Sequence, residues 1–194
     1  MSPADLDEVR NRIGRLLQAV QHAAGDSYET SYKATGADFL THFRVIGVKA
    51  PEQLQDDFLN LFVWTWSLKD YIKEYCKVKG LSMQKIEDVA NKSKSLQYVA
   101  DIANRAKHGT LRESRSGEFA ELVGFGFNIP KESIARISCA GPEVVLHVEE
   151  NKLIQILATV RTNQGKEFDA LVVLKDAIGK WENQAFEIVQ LNRS

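Results

Sequence analysis

The residues of this sequence best suited to chemistry lie in one run, Asp101-Ile102-Ala103-Asn104-Arg105-Ala106-Lys107-His108. A histidine of near-neutral pKa can carry a proton. Arg105 and Lys107 can neutralise a phosphate, and Asn104 and Asp101 can orient an imidazole. That set suits metal-independent phosphodiester cleavage, in which a ribose hydroxyl attacks its neighbouring phosphorus. On a helix turning about 100° per residue, Asp101, Asn104, Arg105 and His108 share one arc, spaced so that neighbours touch. Leu96, Val99, Ile102, Ala103 and Ala106 share the opposite, packing arc, with Lys107 to one side. A plainer reading competes. Every amphipathic helix has a polar face, Lys107 and His108 suit the negative end of a helix dipole, and Gly109 is an ordinary C-cap.

Asp70 is the second candidate. It follows Trp66 by one turn on a strongly apolar helix, where a carboxylate needs a partner. Lys107 or His108 would make it part of a site, whereas Lys69, Lys73 or solvent would make it structural. Other chemistry finds little support. His22, His42 and His147 are scattered, and Cys76 and Cys139 form no Cys-x-x-Cys pair, so neither a metal site nor a cofactor is expected. Gly124-Phe125-Gly126-Phe127 lacks the Lys-Ser/Thr of a phosphate loop and reads as a strand with a close backbone approach.

The elements that must position these groups follow from periodicity. Ser2-Pro3 opens a helix with Leu6, Val9, Ile13, Leu16, Leu17 and Val20 on one face, ending near Gly25. Residues 26–36 read as a loop, and Ala37–Val48 as a short helix with Phe39, Leu40, Phe43 and Ile46 inward. Pro51 opens a long helix closed by Gly80, with the stripe Leu54, Phe58, Leu61, Thr65, Leu68, Ile72 and Tyr75. Phe62, Val63, Trp64 and Trp66 make it apolar nearly all round, hence central. Ser82 caps a further helix, residues 91–95 break it, and a last helix starts near Ser95 and stops at Gly109. Residues 112–117 read as a polar linker. Period-two patterns over 118–165 then predict a small antiparallel sheet, and Leu171, Leu174, Ile178 and Trp181 a closing helix.

Composition narrows the class. A chain of 194 residues, 44% hydrophobic and 26% charged, can bury a proper core as one domain. Its 25 basic and 26 acidic residues argue against a general nucleic-acid coat, though Lys92, Lys94, Arg105, Lys107, Arg112 and Arg115 make the middle locally positive. The polar start lacks a signal peptide's apolar core, and Phe58–Trp66 is too short to span a bilayer, so a cytoplasmic protein without membrane association is expected.

Trp66-Ser67-Leu68-Lys69-Asp70-Tyr71 followed by Asp101-x-x-Asn104-x-x-Lys107-His108 resembles an uncharacterised bacterial family. That family carries Leu-x-Asp-Trp and then Asp-Ile-Ala-Asn-Gly-x-Lys-His. The resemblance extends over about residues 54–186, through Gly124-Phe125-Gly126-Phe127 and the helix from Leu171 to Trp181. It implies no established activity. More loosely, the helical half resembles the HEPN superfamily, whose helical domains often act as metal-independent RNases in toxin–antitoxin and phage-defence systems, commonly as dimers. Their motif sets a His several residues after an Arg and its polar neighbour. Here only Ala106 and Lys107 separate Arg105 from His108.

The expected fold is α+β within a single domain, 1–194. A helical bundle of four to five helices spans 1–112, a small antiparallel β part 113–165 and a C-terminal helix 166–190. The expected function is a HEPN-like metal-independent endoribonuclease or nuclease-derived module. His108 would be the acid/base, with Arg105 and Asn104 catalytic, and with Lys107, Asp101 and Asp70 binding or orienting. RNA and a second copy of the chain would be its partners. The alternative is a non-catalytic interaction or ligand-sensing domain, whose β part meets a protein partner and whose polar cluster is structural.

Overall fold

The computed structural model describes residues 3–33 and 40–188. Helix α1 (Pro3–Gln21) is followed by strands β1 (Ala24–Tyr32) and β2 (Thr41–Val48). Helices α2 (Pro51–Val78), α3 (Gln84–Lys92) and α4 (Lys94–His108) come next. Strands β3 (Glu121–Asn128), β4 (Ile134–Ala140), β5 (Glu143–Val148), β6 (Gln155–Arg161) and β7 (Glu167–Asp169) lead to α5 (Ala170–Lys180). A π-helical turn, Trp181–Ala185, and a last short turn, Phe186–Ile188, complete the described chain. The molecule is thus mixed α+β. Among the described residues no helix is long and apolar enough to cross a membrane.

Contacts divide the chain into two compact units. The described residues of the first fall within Met1–Leu17, Phe58–Gly124 and Ala158–Ser194. Its core is built on α2, whose expected stripe is buried in that unit from Phe58 to Tyr75, with Phe62 and Trp66 buried beside it. From α1 come Leu6, Val9 and Ile13, and from α5 and the turn after it Leu174 and Trp181. Burying large side chains without polar atoms drives such packing. The indole N–H of Trp181 is satisfied by the Thr65 carbonyl at 2.9 Å. Asp169 starts α5 by accepting from the Val172 N–H at 2.9 Å, a normal N-cap.

The second unit comprises Gln18–Asp57 and Phe125–Leu157. Its sheet has the order β1-β2-β5-β4. Strands β1 and β2 pair antiparallel, as do β4 and β5, but β2 and β5 run parallel, with His42 opposite Glu143 and Ile46 opposite His147. Ala23, Val45, Val48, Val148 and Ile154 form its small core, with Tyr28, Phe127 and Leu146 packed against it. Lys49 is buried there, and its ammonium donates to the Asp57 carboxylate at 2.8 Å and the Ala19 carbonyl at 2.9 Å.

The layout corrects three expectations. The helices do not all precede the sheet, because residues 24–32 and 41–48 are strands, not a loop and a helix. Phe43 and Ile46 lie at helical spacing, but Thr41, Phe43 and Val45 also alternate with His42 and Arg44, and pairing with β1 on one side and β5 on the other selects the strand. The earlier part of the expected helix lies outside the described residues. In place of one small antiparallel sheet there are two, β1-β2-β5-β4, made mixed by the parallel pair β2 and β5, and β3-β6-β7, in which β6 and β7 pair antiparallel. Finally, Ser82 does not cap α3, whose N-terminal position is Met83 with no side-chain cap.

Candidate functional site

Helix α4 begins where Ser93 accepts from the Leu96 N–H at 3.4 Å. It ends at Gly109, which is left-handed at φ 72° and donates its N–H to the Arg105 carbonyl at 2.8 Å. Leu96, Val99, Ile102 and Ala103 are buried as expected, whereas Ala106 is exposed.

Asp101 departs furthest from its expected place. It is fully buried rather than on an open polar face. Its Oδ2 accepts from the hydroxyls of Ser114 at 2.6 Å and Ser116 at 2.5 Å and from the Ala120 N–H at 3.3 Å. Its Oδ1 accepts from the Arg115 N–H at 2.7 Å. A buried carboxylate without partners would cost several kcal/mol; here both oxygens are satisfied from the single segment that follows α4. The two serines pass the network on, Ser114 accepting from the Phe119 N–H and Ser116 from the Glu118 N–H, each at 3.0 Å. Within the expected polar linker 112–117, Ser114–Ser116 therefore turn inward to Asp101, while Arg112, Glu113 and Gly117 stay exposed.

The Arg115 side chain holds the same segment from outside. It donates to Glu87 at 2.5 Å and to Asn91 at 2.8 Å, and lies 4.9 Å from the centre of the Trp66 ring. Lys69 lies 4.4 Å from the same ring. Burial raises the affinity of the Glu87 carboxyl for its proton. Hydrogen bonds from Lys73 and Arg115, with the charge of Lys69, outweigh that and lower its pKa to about 2. Further along, the Tyr98 hydroxyl donates to Glu118 at 2.8 Å. That bond, with Lys94 and Lys166, holds Glu118 at about 2, while burial and the adjacent Glu118 push Tyr98 up to about 12.

The remaining expected residues separate. Asn104 and His108, one turn apart, line an open cleft of about 470 Å³ with Thr110, Leu111 and Arg112. His108 and Arg112 are exposed. Arg105 turns away, with Glu121 3.5 Å from its guanidinium, and its Nε is buried without a hydrogen-bond partner among the described residues. The exposed Lys107 donates to the Ser67 hydroxyl at 3.1 Å. Asp70 is 68% exposed and 3.8 Å from Lys69; among the described residues it pairs with neither Lys107 nor His108. The helix carrying it is buried, but its own position faces solvent. Arg112, not Arg105, shares the lining of this cleft with His108.

Sequence reasoning noted Arg112 and Arg115 only as part of a positive stretch. It missed Ser114, Ser116, Glu87, Asn91 and Glu118. The run Ser114-Arg115-Ser116-Gly117 was the available signal, since closely spaced hydroxyls and a glycine often make side-chain-to-backbone turns. Among the described residues no group of three or more His, Cys, Asp or Glu is placed to hold a metal ion. No family model, curated protein or solved structure matches the chain.

Proposed function

We propose that the cleft at the end of α4 binds the phosphodiester backbone of RNA, and that the protein is a metal-independent endoribonuclease or a module derived from one. The supporting observation is an exposed His108 that shares a cleft with Asn104 and Arg112, with no acid among the described residues that line it. Arg112 would neutralise a phosphate and Asn104 would orient the imidazole. Neutral His108 would take the proton of a ribose 2′ hydroxyl as that oxygen bonds to phosphorus. The bond from phosphorus to the 5′ oxygen then breaks, and the imidazolium returns its proton to that departing oxygen. The products would be a 2′,3′-cyclic phosphate and a 5′ hydroxyl. Self-association into a pair, part of the same reading, would bring two such clefts together.

The test is incubation of the purified protein with single-stranded RNA, with and without chelator, followed by analysis of the product ends. Cleavage should survive the chelator and fall at least about 100-fold in His108→Ala, the usual scale for a lost acid/base group. Equal thermal stability of the two proteins, with no cleavage by either, would sink the nuclease.

The buried, fully bonded Asp101 favours a second reading, a non-catalytic binding module, because the one carboxylate of the run is committed to structure. RNA retained without cleavage would select that reading.

A further inference from the structure

We infer that Asp101 is a positioning residue for the α4 cleft: it pins the segment from Ser114 to Ala120, and through it sets Thr110, Leu111 and Arg112 against Asn104 and His108. The inference rests on the RNA reading above, and four observations carry it. First, all four donors to the buried carboxylate come from that one segment, two of them backbone N–H groups that only a particular chain path can deliver. Second, the stretch that closes the cleft is short. It leaves the left-handed Gly109, tied to the Arg105 carbonyl, and is anchored again at Ser114, so little freedom remains to Thr110–Glu113.

Third, the segment adopts a backbone that it would not choose alone. Phe119 has φ 46°, a left-handed value that a side chain disfavours. Its N–H is bonded to Ser114, and the next N–H reaches Asp101 itself. Strain of this kind persists only where neighbouring bonds determine the path. Fourth, Arg115 places its backbone N–H on Asp101 while its guanidinium grips Glu87 and Asn91. The clamp therefore has two jaws, neither of which lines the cleft.

The experiment measures binding of a short fluorescent single-stranded RNA to the full chain, comparing Arg112→Ala in two backgrounds, wild type and Asp101→Asn. Where Asp101→Asn does not fold, Ser114→Ala replaces it, since that change removes only one bond to the carboxylate. In the wild-type background, losing one charge-assisted phosphate contact should weaken binding about tenfold. With the clamp released, Arg112 no longer faces the cleft, and the same change should matter less than about twofold. Asp101→Asn should also lower the cleavage rate more than it raises KM, because the geometry around His108 loosens while other phosphate contacts remain.

An Arg112→Ala effect of the same size in both folded backgrounds would overturn the positioning role and leave the RNA reading intact. Binding by wild type that neither His108→Ala nor Arg112→Ala alters, or no binding at all, would overturn the RNA reading and this inference with it.

Discussion

Glu87 shows how far side-chain neighbours outweigh burial. Its carboxylate meets Lys73 at 2.8 Å, Arg115 at 2.5 Å and Lys69 at 3.4 Å. The result is a folded-state pKa of about 2, below the ordinary 4.5. A depressed carboxylate pKa stabilises the fold fully above the unfolded value and is lost as pH falls through the folded one. We expect Glu87→Gln to lower stability by about 2 kcal/mol near neutrality, the scale of hydrogen bonds to charged groups. In denaturation series taken at successive pH values, the gap between the two proteins should close as pH drops from 4.5 towards about 2. A gap constant across that window would show that Glu87 acts through packing rather than charge. Glu118 titrates in the same direction, so only the difference between the two proteins isolates Glu87.

Among the elements, β2 is the one that its own residues describe least. Thr41–Val48 alternates cleanly to Val45, then breaks at Gly47, where φ is 90°. A side chain there would run into the Val148 carbonyl of the pairing strand β5. Gly47 therefore combines a left-handed backbone with close approach of a second chain segment, two demands only glycine meets. Gly47→Ala should cost more than about 2 kcal/mol, combining left-handed strain with steric conflict. Gly109, also left-handed, has open space around its Cα, so Gly109→Ala should cost only about 1 kcal/mol. Chemical denaturation of both variants reads the difference, and equal losses would refute the steric part of the argument.

At the scale of the molecule, the two units differ in what holds them. One buries Phe58, Phe62, Trp66 and Trp181 around α2. The other has a core cluster of smaller side chains, Ala23, Val45, Val48, Val148 and Ile154, with Tyr28, Phe127 and Leu146 only partly buried against it. Regions with little buried apolar surface open at lower free energy. In native-state hydrogen exchange, the bonded amides of β2 and β5 should exchange at least about tenfold faster than those of Phe62–Ile72 in α2. Indistinguishable rates would mean that both units open only in global unfolding.

What could be determined from the sequence alone was local. The apolar stripe of α2, the stop at Gly109, the strand character of Gly124–Phe127 and the closing helix through Trp181 all rest on periodicity and capping, which neighbours in the chain decide. The run from Asp101 to His108 was legible as a polar helix end for the same reason. Its division was not. Only the tertiary structure sends Asp101 inward to four donors that lie 13 to 19 residues further on, turns Arg105 to Glu121, and brings Arg112 into the same cleft as His108. Likewise β2 is a strand because it lies between two partners, β1 on one side and β5, about a hundred residues away, on the other. A carboxylate's fate depends on which donors the fold brings to it, and a short apolar segment's form on what it pairs with. Helical spacing in the sequence carries neither.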